Sequence, residues 1–372
     1  MKILHLISSG GMYGAEAVIL NLCNALNSSK QHQSIVGVFA NSAQPNLSLH
    51  EAALRRGIES HLIPCRGQFD RSVPAAIRSL AQRTGADVIH AHGYKADVYA
   101  WLGLRRKSVP LVSTCHTWYD NDFFVRAYGA LDRWVLRDFR GVVAVSDEVS
   151  GRLLCAGVQP DRVHLIRNGI DLRPFAQATD TRQKRQENGD AFRIGLVGRL
   201  SPEKGVDIFH HAASEVLREF PEVQFIVVGD GPDRSALEHL RATLQLDDKV
   251  SLPGQRGDMP EFYGSIDVMV SASRQEGLPM ALLEAMASGL PVVATAVGQV
   301  PTVIDTDSVG RIVAPGDASA LAGAIKELLR DNDLRQRIGI AGRDRIAAEF
   351  SADRMTTEYL RVYKQALQES AR

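Results

Sequence analysis

The chain has 372 residues, of which 45% are hydrophobic and 23% charged, with 43 Lys and Arg against 43 Asp and Glu. This balance excludes a disordered chain and a polycation that coats nucleic acid, and the length exceeds one ordinary core, so two domains are expected. The charge is unevenly placed: residues 1–170 carry 19 basic and 13 acidic side chains (+6), and residues 171–372 carry 24 and 30 (−6). Two readings stay open, a first half turned toward an anionic membrane surface or phosphorylated acceptor, or a scatter of solvated charge.

Cys23, Cys65, Cys115 and Cys155 stand far apart with no C-x-x-C pair. That is reduced cytosolic usage, not a disulfide frame or a zinc site. The opening "MKILHLISSGG" has an apolar stretch too short for a signal peptide and broken by His5, and no run reaches membrane-spanning length. The expected location is the cytoplasm, with peripheral attachment to the inner face of the plasma membrane left open.

In chain order, short β-branched runs alternate with helical patterns, which predicts parallel sheets wound with helices. The first half offers strands at Lys2–Ile7, Ser34–Phe39, Ser60–Ile63, Val88–His90, Leu111–Thr114, Gly141–Val145 and His164–Arg167. Helical patterns fall at Ala15–Leu26, Leu47–Arg56, Val73–Thr84, Ala96–Leu104 and Phe124–Arg137. Residues 173–190, containing "AQATDTRQKRQENGD", are polar without a core-facing period and read as a linker between domains 1–172 and 191–351. The second half offers strands at Arg193–Val197, Gln224–Val228, Lys249–Leu252, Val268–Ser271, Pro291–Ala294 and Gly310–Val313. Its helices fit Val206–Glu219, Arg234–Leu244, Met259–Gly264, a segment from Pro279, and Ala318–Leu329; a terminal helix at 352–370 is a candidate to return to the first domain. The expected class is α/β: two Rossmann-like domains facing each other across a deep interdomain cleft, with ligand between the strand ends.

The stretch "RQEGLPMALLEAMASG" carries one carboxylate, Glu284, in a helix apolar on nearly every face, and a second, Glu276, on the preceding turn. Proline suits the first helical position, and Ser288-Gly289 with Pro291 form a stop signal. An ionised Glu in a buried helix is costly unless something hydrogen-bonds it.

"GRLSPEKG" follows the first strand of the second half and puts Arg199 and Lys204 at the head of a helix, an anion site suited to a diphosphate, or else an exposed charged loop. "SSGGMYGAE" places Gly10, Gly11 and Gly14 between a strand and a helix, where main chain can approach a ligand, though a flexible turn reads the same way. It is not G-x-G-x-x-G, so a nicotinamide dinucleotide is unsupported. "VVGDGPDR" reads as a structural strand-to-helix turn.

His90, His92 and His116 lie near strand ends; "HAH" lacks a third metal ligand at useful spacing, and His116 is a candidate donor to a substrate hydroxyl or phosphate. The triplets at Asp120, Asp305 and Asp331 read as Asp-rich turns rather than metal sites. Asn121–Arg140 mixes aromatics with arginines and reads either as a surface helix or as a basic amphipathic helix lying on anionic lipid.

Taken together, "GGMYGAE", "ADVIHAHG", "VSTCHT", "VAVSDEV", "IRNGID", "GRLSPEKG" and the pattern of Glu276 and Glu284 with seven residues between them resemble the family 4 retaining glycosyltransferases of GT-B fold, over nearly the whole chain. The resemblance implies transfer of a sugar from a nucleoside-diphosphate donor, UDP-sugar before GDP-mannose, to a glycan or lipid-linked acceptor, with no cofactor and no metal. It implies that Glu284 accepts from the ribose hydroxyls and that Glu276 sits by the donor sugar among the amides of Gly277, Leu278 and Met280. Arg199 and Lys204 would neutralise the diphosphate, with Gly11 and Gly14 approaching it; His116 would contact the sugar, main chain at Gln255–Arg256 would hold the base, and His92 and Asn168 would lie on the acceptor side. "GQVPTVI" departs from the family pattern at Gln299 and Thr302. A nucleotide-sugar epimerase and a non-catalytic nucleotide-sugar binder are the rival readings.

Overall fold

The computed structural model describes residues 1–11, 14–42, 45–67, 69–105, 109–116 and 131–370. The chain forms two compact units: residues 1–171 with 352–372, and residues 172–351.

The first unit is built on seven strands, β1 (Lys2–Ile7), β2 (Gln33–Asn41), β3 (Glu59–Cys65), β4 (Val88–His92), β5 (Leu111–Cys115), β6 (Gly141–Ala144) and β7 (Val163–Leu165). Their order is β3-β2-β1-β4-β5-β6-β7, every pair parallel. Strands buried on both faces read as apolar runs, which is how "KILHLI" and "GVVA" entered the sheet interior. The described connections include helices α1 (Gly14–Ser28), α2 (Ser48–Arg55), α3 (Val73–Thr84), α4 (Tyr94–Leu104) and α5 (Asp147–Cys155). Helix α5 was not anticipated; Ser146 caps it, accepting from the Val149 N–H at 3.2 Å. Of the expected helix Phe124–Arg137, residues 124–130 lie outside the described residues, as do Asp120–Asp122 and most of the aromatic-rich part of Asn121–Arg140; residues 131–135 are helical.

The second unit repeats the design with β8 (Arg193–Val197), β9 (Gln224–Val228), β10 (Val250–Gly254), β11 (Val268–Ser271), β12 (Val292–Thr295) and β13 (Arg311–Val313), in the order β10-β9-β8-β11-β12-β13. Its core is Leu196, Phe209, Phe225, Val268, Val270 and Ile325 with their neighbours.

Residues 173–190 are not a linker. They hold a short 3-10 turn and helix α6 (Ala178–Glu187), which belongs to the second unit. The anchor is a guanidinium rather than an apolar stripe, which is why hydrophobic periodicity did not reveal it. Buried Arg182 donates to the carbonyls of Ser288 (2.9 Å), Gly289 (3.0 Å) and Tyr263 (3.4 Å). Gln186 donates to Asp267 Oδ1 at 2.9 Å.

Helices α7 (Val206–Leu217), α8 (Arg234–Thr243), α9 (Met259–Ser265), α10 (Met280–Ala287), α11 (Val300–Val303), α12 (Ala318–Arg330) and α13 (Asn332–Glu349) follow. Helix α13 was also missed; the Asp331 triplet that read as a turn caps it, its carboxylate accepting from the Leu334 N–H at 2.8 Å. The last helix, α14 (Ala352–Ser370), belongs to the first unit, where Tyr359 and Tyr363 are buried against β4 and β5.

Candidate active site

In each sheet the strand order reverses beside the first strand, between β1 and β4 and between β8 and β11. Ligands of open α/β sheets bind outside the carboxyl ends of strands at such switch points. The stretches singled out by sequence end there.

In the second unit, the loop after β8 carries Arg199 and Lys204, and the loop after β11 carries Glu276. Lys204 Nζ donates to Glu276 Oε1 at 2.6 Å, and Ser273 Oγ donates to the same oxygen at 2.7 Å. Arg274 staples the two loops, donating to Asp207 at 2.8 and 2.6 Å and to the Pro202 carbonyl at 2.9 Å. Arg199 is exposed on its loop.

Gly205 closes the Lys204 turn at φ +63°, where a Cβ would stand 2.0 Å from the Ala272 carbonyl oxygen. Gly298 does the same for the Glu276 turn: at φ +53° its absent Cβ would meet the Glu276 carbonyl oxygen at 2.1 Å. The next residue, Gln299, donates its N–H to the Gly277 carbonyl at 2.9 Å. The departure at Gln299 therefore falls on a residue whose main chain braces the site loop.

Pro279 is the N-terminal cap of α10 rather than its first helical residue. Leu282, Leu283, Ala285 and Met286 are fully or almost fully buried, and Glu284 shares their helix. Its Oε2 accepts from Tyr263 Oη at 2.9 Å. Burial raises the Glu284 carboxyl above the ordinary carboxylate range, with the tyrosine bond opposing the rise, and the same contact with burial pushes the Tyr263 hydroxyl well up. Glu284 is neither turned into solvent nor clamped by an arginine among the described residues. Sequence reasoning missed Tyr263 and Ser273; Tyr263 lies 21 positions from its partner, and no spacing rule links them. Gln255 and Arg256 follow β10, and the Arg256 guanidinium is occupied by Asp258, with Nε to Oδ1 at 3.0 Å.

In the first unit, Ser9 Oγ donates to Glu16 Oε1 at 2.9 Å and Asn46 holds the Gly10 carbonyl at 2.9 Å, fixing the loop that carries Gly11 ahead of Gly14, the first residue of α1. A pocket of about 610 Å³ opens there, lined by Ser8, Ser9, Gly10, Asn46 and Lys95 among others. His92 ends β4 and His116 follows β5, their rings joined at 3.4 Å. Against expectation, "HAH" does gain a third imidazole: His5, from β1, lies in register with His90 and reaches His92 at 3.2 Å. Burial lowers His5 to about 3 and His116 to about 4, and burial with the neighbouring imidazoles lowers His90 and His92 well below the usual range. All four are neutral at pH 7. Asn168 is buried, its Oδ1 without a partner among the described residues.

Two parallel Rossmann-like sheets with these loops at their switch points define an α/β fold of the GT-B class. The comparisons narrow the class. The chain matches the model described as Glycosyltransferase Family 4 over residues 12–173 and that described as Glycosyl transferases group 1 over residues 177–345. It is 30% identical over 334 residues to the D-inositol 3-phosphate glycosyltransferase of Salinispora arenicola (strain CNS-205), covering 81% of this chain and 74% of that one. It is 24% identical over 339 residues to the N-acetyl-alpha-D-glucosaminyl L-malate synthase of Bacillus anthracis, covering 88% and 87%. A crystal structure of Anabaena Alr3699/HepE in complex with UDP has a TM-score of 0.83 at 24% identity, covering 97% of this chain and 99% of that one. The chain belongs to the family 4, group 1 glycosyltransferases. These likenesses do not favour the epimerase and pure-binder readings. Among the described residues no helix is long and apolar enough to cross a membrane.

Proposed function

We propose that the protein is a retaining, metal-independent transferase that moves a sugar from a nucleoside-diphosphate donor, UDP-sugar before GDP-mannose, to a hydroxyl of a glycan or lipid-linked acceptor. The observation that carries the donor reading is Glu284, a carboxylate on an otherwise apolar helix, desolvated and given one described partner, Tyr263. A ribose presents two adjacent hydroxyls, and a carboxylate has room for both beside the tyrosine. Main chain at Gln255–Arg256 holds the base.

Lys204 and Arg199 neutralise the diphosphate. The acceptor hydroxyl attacks C1 on the leaving-group side as the C1–O bond to the diphosphate breaks, and its proton passes to a diphosphate oxygen. Charge grows on the leaving group, so fixed cations stabilise the transition state more than the ground state. Glu276, held by Lys204 and Ser273, lies by the donor sugar with the amides of Gly277, Leu278 and Met280. From the first unit, His116 donates to a sugar hydroxyl, Gly11 and Gly14 let main chain approach the diphosphate, and His92 and Asn168 serve the acceptor side. The commitment of Asp305 to Arg345 at 3.0 Å and of Asp331 to a helix cap supports the reading that neither triplet is a metal site.

The pocket beside Gly10 with Lys95 at its rim favours an acceptor bearing negative charge. Exposed Trp134 and Leu131, together with the surplus of basic side chains in residues 1–170, support contact of the first unit with an anionic membrane surface. The test is incubation with UDP-, GDP-, ADP- and dTDP-sugars and candidate acceptors, with and without chelator. The expected result is chelator-resistant release of one nucleoside diphosphate and a product heavier by one sugar with the donor's anomeric configuration. A free isomerised nucleotide sugar, or inversion, contradicts the reading.

A further inference from the structure

The imidazoles of the first unit form a chain. His5 Nδ1 meets His92 Nε2 at 3.2 Å, and His92 Nδ1 meets His116 Nε2 at 3.4 Å. Successive rings are nearly parallel, with interplanar angles of 23° at both steps. The chain is locked from the side. His90, its ring centroid 4.0 Å from that of His92, is held by Thr114 at 2.7 Å and by Tyr363 of α14 at 2.8 Å, and Tyr359 of the same helix binds Thr114 at 2.9 Å.

A neutral imidazole has one N–H and one bare nitrogen. Two nitrogen–nitrogen hydrogen bonds in series then allow only two proton arrangements. In one, each ring is protonated at Nδ1, so His5 donates to His92, His92 donates to His116, and His116 is left with Nδ1–H free of the chain. In the other, each ring is protonated at Nε2, the donors run the opposite way, and the free nitrogen of His116 is a bare acceptor. The inner end decides between them. His5 Nε2 is buried and has no partner among the described residues. The second arrangement would bury an orphaned N–H there; the first buries only a lone pair, the less costly of the two.

We infer that His5 and His92 are positioning residues that fix His116 as the Nδ1–H tautomer, so that His116 presents a hydrogen-bond donor beyond the end of β5. The tautomer assignment stands on the first unit's geometry alone; the donor's target, a hydroxyl of the transferred sugar, rests on the proposed function. The depressed basicity of the rings fits a neutral chain, since the bare nitrogen left to take a proton, His5 Nε2, is buried and would become a charged N–H without a partner among the described residues.

Long-range proton–nitrogen NMR on the full-length, histidine-labelled protein reads the tautomers directly, with single-histidine variants supplying the assignments. The expected result is Nδ1–H at His5, His92 and His116 in the wild type. His92→Leu breaks the chain, so His116 reverts to a mixture of tautomers. His92→Asn keeps an amide donor where Nδ1 stood and preserves the His116 tautomer. In turnover with the donor sugar, kcat falls about tenfold in His92→Leu, the worth of one hydrogen bond.

Nε2–H at His116 in the wild type overturns the inference, as does a His116 tautomer unchanged by His92→Leu. Loss of the His5 and His92 N–H signals on adding zinc, with a raised melting temperature, would replace the proton chain by a metal site. The spectra need no turnover. Absent sugar transfer with Nδ1–H at His116 removes the transferase reading and leaves the chain standing; transfer with Nε2–H does the reverse.

Discussion

Asp97, on α4, is fully buried beside Asp132 and Ser113. Burial first, and the charge of Asp132 second, hold its carboxyl well above the usual range. A raised carboxyl pKa means the folded state keeps a proton that the unfolded chain releases near pH 4. Stability from this group is therefore present at low pH and lost as pH rises from about 4 through the folded value. Asp97→Asn keeps the shape without an ionisable proton. It should raise unfolding free energy at pH 8 by about 1–3 kcal/mol, with little gain at pH 4. Urea unfolding at the two pH values checks this; equal effects at both would mean that Asp97 titrates normally.

The turn between β8 and α7 shows how an element positions the site. Gly205 lets the chain turn back under the Ala272 carbonyl, which puts Lys204 within reach of Glu276. Gly205→Ala should cost about 1–3 kcal/mol in strain, with a fall in sugar transfer as Lys204 moves. A variant as stable and active as wild type would show that the turn tolerates a side chain. Elements like this were legible because a β-branched strand, a charged glycine-rich loop and an apolar helix each leave a local pattern. The loop that carries Arg199 and Lys204, the turn that carries Glu276 and the apolar helix around Glu284 each left such a pattern, and the structure forms each of them where the pattern lies. Interactions between distant residues were not legible. Helix α6 hides behind a polar sequence because Arg182 anchors it to main-chain carbonyls, and a guanidinium on carbonyls has no period. Tyr263 under Glu284, and His5 joining His92, come from elements far apart in sequence, and only the sheet order places them together.

Over the whole molecule, neutral buried histidines make acid the weak side. His5 falls to about 3, and His116 and His210 to about 4, through burial. For a lowered histidine the contribution to stability is complete above the unfolded value near 6.5 and is lost as pH falls toward the folded value. The window runs from about 6.5 down to about 3. His5, His90, His92 and His116 all lie in the first unit and His210 in the second, so acid should unfold the first unit earlier. Trp101, Trp118 and Trp134, the chain's three tryptophans, also precede residue 171. Tryptophan fluorescence should therefore change at a higher pH than the final loss of far-ultraviolet circular dichroism. Coincident transitions would contradict this order.

The most direct measurement is the melting temperature of wild type and Glu284→Ala with UDP, GDP, ADP and dTDP each in large excess. At 100 times its dissociation constant a bound nucleotide stabilises by about 2.7 kcal/mol, roughly 5–10 °C for a unit of this size. One nucleotide, UDP first, should raise the wild type by that amount and leave Glu284→Ala nearly unmoved. A nucleotide that stabilises both proteins equally, or none that stabilises either, would contradict a donor whose ribose is held by Glu284.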